Sequence, residues 1–106
     1  MFDNKRYITI GIRENVDEEI QMEIWNIIDK LKLVDNFHMD YLQVFELKKI
    51  ENTREFNNSY NQEIVHFQEQ PEYKQQIFLK VSNPVNAKIY VIDDSEHTVM
   101  MEASEY

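Results

Sequence analysis

Only one stretch of this chain repeats apolar residues at helical spacing. Ile20, Ile24, Ile27, Ile28 and Leu31 form a stripe, with Trp25 beside it and Glu18, Glu19, Glu23, Asn26 and Lys30 mostly on the other faces. Asn15 or Asp17 can cap its start, and Asp17, Glu18 and Glu19 stand where a helix dipole favours anions. The spacing predicts one amphipathic helix over about 17–32. Such a stripe must be buried, and the remaining segments, which alternate with period two, have to supply the covering surface.

Arg6-Tyr7-Ile8-Thr9-Ile10-Gly11-Ile12-Arg13 alternates cleanly and predicts a strand with Ile8, Ile10 and Ile12 on one face. Gly11 is the only glycine, which points to a bulge or a close backbone approach there. Tyr41 to Leu47 is apolar on both faces, as an interior strand would be. Lys48 to Asn61 is polar and reads as a loop or hairpin tip. Glu63–Gln68, Tyr73–Val81 and Ala87–Ile92 read as strands, while His97–Ala103 suits a short strand or a helical turn. A chain of 106 residues makes one domain, 1–106. The expected fold is α+β: a mostly antiparallel sheet of about five strands with the long helix packed on one face.

The composition removes several function classes. There is no cysteine, hence no disulfide, thiolate metal site or cysteine nucleophile. A single glycine leaves no Gly-rich phosphate cradle and no nucleophile elbow. The net charge of −9 opposes direct binding to a nucleic-acid backbone. Met1 to Asn15 lacks the apolar core of a signal peptide, and no apolar run is long enough for a membrane span. A cytoplasmic protein without a cofactor, and not an enzyme, is the expectation.

The chain resembles the family called domain of unknown function 960, small proteins of staphylococci and related Firmicutes. Arg6-Tyr7-Ile8-Thr9, Gly11, Trp25, Ile28-Asp29 and Leu31 carry the resemblance in the first third. Asp40-Tyr41-Leu42-Gln43-Val44-Phe45-Glu46-Leu47, His66, Gln68-Glu69 and Pro71-Glu72-Tyr73-Lys74 carry it through the middle. Asn86-Ala87-Lys88-Ile89, Val91-Ile92-Asp93-Asp94, His97, Met100 and Glu105-Tyr106 close it. Ile10 departs from the arginine common at that place, and Lys48 to Gln62 is expanded. The resemblance implies carriage on phages, plasmids and chromosomal cassettes, and so an accessory role. It implies no activity and no catalytic residue.

Two stretches contain acids and no base. One holds Glu14, Asp17, Glu18 and Glu19; the other holds Asp93, Asp94, Glu96, Glu102 and Glu105. Gathered on one face, these nine carboxylates would steer the protein toward a basic partner. They could imitate a nucleic-acid backbone and inhibit a nucleic-acid-handling host or defence protein. The plainer alternative is that they keep a small domain soluble. A rival reading takes Asp93, Asp94 and His97, with His66, as the ligands of a small metal-dependent enzyme or sensor. Against it, Asp93 and Asp94 suit a turn that binds local N–H groups, and His66 suits a hydrogen-bonded place within the sheet. A third reading is a homodimer or larger homo-oligomer that pairs open sheet edges.

Overall fold

The computed structural model describes residues 1–106 and shows an α+β fold with one long helix. Six strands follow the order β1 (Lys5–Ile8), β2 (Leu42–Lys49), β3 (Gln62–Gln68), β4 (Tyr73–Leu79), β5 (Ala87–Asp93) and β6 (His97–Glu102). They form one sheet in the spatial order β1-β6-β5-β2-β3-β4. Every neighbouring pair is antiparallel except β1 and β6, which run parallel. The sheet therefore has six strands rather than five and is mixed. His97–Glu102 resolves as a strand inserted between β1 and β5, and a single 3₁₀ turn, Ala103–Glu105, follows it.

The segment predicted as a strand over Arg6–Arg13 is corrected. The strand stops at Ile8, and a short helix α1 runs from Ile10 to Asn15. Thr9 is the reason: its hydroxyl accepts the N–H of Ile12 and its carbonyl accepts the N–H of Arg13. The three isoleucines consequently part company. Ile12 is fully buried, whereas Ile10 is 62% exposed and Ile8 39%. Ile12, Val16, Ile20 and Ile24, each four residues from the next, are all buried along the helical side of the core.

The long helix α2 spans Glu18–Lys32. Its buried positions are Ile20, Gln21, Ile24, Ile27, Ile28 and Leu31, the predicted stripe plus one glutamine. The four isoleucines join Phe45 and Leu47 of β2, Ile64 of β3, Ile89 and Val91 of β5 and Met100 of β6 in one core. Each isoleucine so buried is worth roughly 1.5–3 kcal/mol. On the side toward β1, Arg6 pairs with Asp29 and its guanidinium lies 4.8 Å from the Trp25 ring centroid.

Part of the layer beneath the helix is polar. Gln43, Gln62, His66 and Gln68 are buried, on the same face of β2 and β3 as Phe45 and Ile64. His66 Nε2 donates to Gln43 Oε1 (2.6 Å), and the Nε2 amide of Gln75 donates to His66 Nδ1 (3.0 Å). The Gln43 amide in turn donates to Gln68 Oε1 (2.7 Å), which also accepts the N–H of Asp40 (3.0 Å). Gln68 Nε2 donates to the carbonyls of His38 and Pro71. No buried side-chain nitrogen or oxygen is left without a partner, so the row carries no uncompensated desolvation cost. The imidazole also stacks on Phe45, centroids 4.4 Å apart and 7° from parallel.

Burial pushes the His66 pKa down to about 4, which keeps the ring neutral and suited to one donated and one accepted bond. The unfolded chain takes up a proton near pH 6.5 that the folded chain refuses. His66 therefore stabilises the fold fully above pH 6.5, and that contribution drains away as the pH falls toward 4. The expected slope reaches about 1.4 kcal/mol per pH unit between 6.5 and 5. Urea unfolding of His66→Gln beside the parent chain checks this: the variant is less stable at pH 7.5 and lacks that slope.

Candidate functional site

The structure divides the nine acidic residues into two groups, which corrects the expectation of a single patch. Asp93, Asp94 and Glu96 occupy the turn from β5 to β6, while Glu102 and Glu105 lie beyond the other end of β6. Asp93 pairs with Thr98 and Ile89 with Glu102, so the two groups stand roughly 13 Å apart along the strand direction.

The carboxylates at the β5–β6 turn are occupied in holding backbone. Asp93 accepts the N–H of Phe2 (2.6 Å), the N–H of Ser95 (2.8 Å) and the amide of Asn4 (3.0 Å). Burial pulls its pKa upward, but these donors outweigh it and hold the group below the usual aspartate range. Asp94 accepts the N–H of His97 and of Glu96, which lowers its pKa as well. Ser95, at φ 79°, completes the tight turn. This clamp fixes the segment before β1, whose Phe2 is 1% exposed, against the sheet end.

The four residues of the metal reading do not converge. His66 is 0% exposed, with both ring nitrogens bonded to glutamines. Asp93, Asp94 and His97 belong to the turn just described, where His97 Nδ1 stands 3.8 Å from Asp94 Oδ2. No three His, Asp or Glu residues are grouped to hold a metal ion.

The other group has a different character. Glu105 accepts the Thr9 hydroxyl (2.7 Å), the N–H of Glu102 (2.8 Å) and the N–H of Gly11 (3.2 Å), the Thr9 bond contributing most to its lowered pKa. Asn15 donates to Glu102 at 3.4 Å. The chain after β6 is thereby tied to α1, and Glu14 and then Asp17, Glu18 and Glu19 follow at the step into α2. Asp17 accepts Asn83, and Glu19 accepts the N–H of Ser82 (2.9 Å). The result is a corner of six carboxylates: Glu14, Asp17, Glu18, Glu19, Glu102 and Glu105. None of them has an ion-pair partner; the acids so paired are Asp3, Asp29 and Asp94. Arg13, in the last turn of α1, is the base that immediately precedes Glu14.

Gly11 is explained by this corner. A Cβ there would stand 2.6 Å from Glu105 Oε1 and 2.7 Å from Glu102 Oε2. The close approach foreseen for the lone glycine is made by carboxylates rather than by backbone. What sequence reasoning missed is the row of buried glutamines, although Gln62, His66 and Gln68 keep the same parity as Ile64 in one strand.

The architecture defines a small two-layer α+β domain in which one helix-bearing corner is anionic and unpaired. A family model described as staphylococcal protein of unknown function, domain of unknown function 960, matches residues 5–105. The chain belongs to that family. No curated protein matches it. Among solved structures, it is similar to a protein of unknown function from Enterococcus faecalis, at 22% identity and TM-score 0.77. That match covers 98% of this chain and 92% of the other, and it establishes likeness of fold. No helix is long and apolar enough to cross a membrane.

The Gly11–Glu105 contact can be read by a double-mutant cycle in urea. Gly11→Ala removes the helix penalty of glycine, about 1 kcal/mol, but pushes the carboxylates away from their donors. The expected result is that Gly11→Ala is better tolerated in the Glu105→Ala background than in the parent chain, with the Glu102 carboxylate still opposing part of the gain.

Proposed function

We propose that this protein is a non-enzymatic binding protein, an accessory factor of a mobile genetic element that docks its acidic corner on a basic, nucleic-acid-handling protein. The observation that carries the reading is the set of six carboxylates at the α1–α2 step and the chain after β6, none with an ion-pair partner. Unpaired carboxylates on a rigid scaffold attract a cationic surface and raise its rate of association. The tie from Glu105 to Thr9 and Gly11 fixes their arrangement before any partner arrives. The mobile-element setting that the family resemblance implies suits a protein that modulates or inhibits another rather than one that processes a metabolite.

The carboxylates differ in what they are free to do. Glu14 and Glu18 are exposed and accept no hydrogen bond within the protein, so they are the ones available to a partner. Glu102, Glu105, Asp17 and Glu19 hold the corner together and add field.

The experiment compares three proteins for capture of a partner from host lysate: the parent chain, Glu14→Lys with Glu18→Lys, and Asp94→Asn with Glu96→Lys as the control. Reversal at the corner should weaken the captured complex about tenfold or more, and the parent complex should loosen as salt is raised. The control pair should bind like the parent. A partner held equally by all three, or held independently of salt, would refute the assignment.

A further inference from the structure

The two edges of the sheet are unlike each other. β1 is four residues long, carries Lys5 and Arg6, and is tethered to α2 through Arg6 and Asp29. Short, charged edges of this kind resist pairing with another chain. β4 is seven residues long, Tyr-Lys-Gln-Gln-Ile-Phe-Leu, with one charge near its start and no proline inside. Its far side faces no strand.

Beside that edge the helix leaves an open cleft of about 260 Å³. Tyr73, Gln75 and Ile77 form its floor, and Ile27, Leu31 and Val34 of the helical side form its wall. The floor residues point toward the helix layer but stay half-exposed, because α2 covers the strands inward of β4. Glu23 and Lys30 stand at the rim on the same helix face, on either side of Ile27, and neither has an ion-pair partner. The helix runs antiparallel to β4, since Glu19 reaches Ser82 past one end of the strand and Phe37 meets the Tyr73 ring at the other, 5.1 Å between centroids.

We propose that a second copy of this chain docks here, β4 against β4, about a two-fold axis normal to the sheet. The axis pairs the strands antiparallel and keeps both helices on one side of a continuous sheet. Centred on Gln76, the pairing sets Tyr73 opposite the second copy's Leu79 and Lys74 opposite its Phe78, so no like charges meet. It also carries Glu23 of one copy to nearly the height of Lys30 in the other, twice over. The rim charges are complementary to themselves under this operation, which is the reason for choosing a second copy over an unrelated strand. On the helix side of the sheet the cleft floor gains strand neighbours, Tyr73 beside the second copy's Leu79 and Gln75 beside its Ile77. The acidic corner takes no part, so this inference stands or falls apart from the proposed function.

Light scattering and sedimentation at low and high micromolar concentration test it, using the intact chain. A concentration-dependent dimer is expected. Glu23→Lys alone and Lys30→Glu alone should each raise the dissociation constant about tenfold, and the double reversal should restore it. These positions lie on the outside of α2, and thermal melting confirms that the fold is kept. Ile77→Lys, which turns a charge inward at the edge, should give a monomer. A monomer at every concentration overturns the proposal and leaves the edge to a foreign strand. A dimer indifferent to the charge swaps, or to Ile77→Lys, overturns it too, because the copies then meet elsewhere.

Discussion

The seating of one isoleucine-rich helix on the middle of the sheet is the constraint from which the rest of the molecule follows. Ile20, Ile24, Ile27 and Ile28 meet Phe45, Leu47, Ile64, Ile89 and Val91, and this contact fixes which face of every strand is inward. Six strands at about 4.8 Å spacing are wider than one helix. The uncovered margins are therefore handled separately. Toward β1 the layer is completed by α1 and by Arg6 lying over Trp25. Toward β4 it is left as a cleft, and of the inward residues of β3 beside it only Ile64 is aliphatic, the others being Gln62, His66 and Gln68. An amide row tolerates partial cover better than an apolar one, because each polar atom is already bonded to its neighbour.

The long helix was readable from its period, β2 from an apolar run on both faces, and β3 to β5 from alternation and breakers, because burial writes itself directly into residue type. The first strand was misjudged for a definite reason. Ile8, Ile10 and Ile12 satisfy a period of two, while Ile12, Val16 and Ile20 satisfy a helical one, and Thr9 as a cap decides between them. The sixth strand was ambiguous because a chain that enters between two distant strands leaves no local mark of its partners. The division of the acids was not legible either. Whether Asp93 and Glu102 are neighbours depends on strand direction, which composition does not encode.

The carboxylates of this protein illustrate how poorly a net charge describes a surface. Several of the acids that make the chain so negative serve as acceptors for backbone N–H groups: Asp93 for Phe2, Asp94 for His97, Glu105 for Gly11, Glu19 for Ser82. With a single glycine and two prolines, the chain has few residues that shape turns by themselves. Side-chain oxygens take over part of that work. The same groups can therefore be structural and electrostatic at once.

The parallel pairing of β1 with β6 has a bearing on how the molecule comes into being. Lys5–Ile8 is made early, yet its only neighbour in the sheet is His97–Glu102, more than eighty positions later. During synthesis the hairpins of β2 to β5 can assemble while the leading segment has nowhere to attach. Closure of the sheet on that flank then waits for the trailing residues to thread in beside β5. The growing chain thus passes through a stage in which its central strands are in order and one flank still stands open to association with other nascent chains.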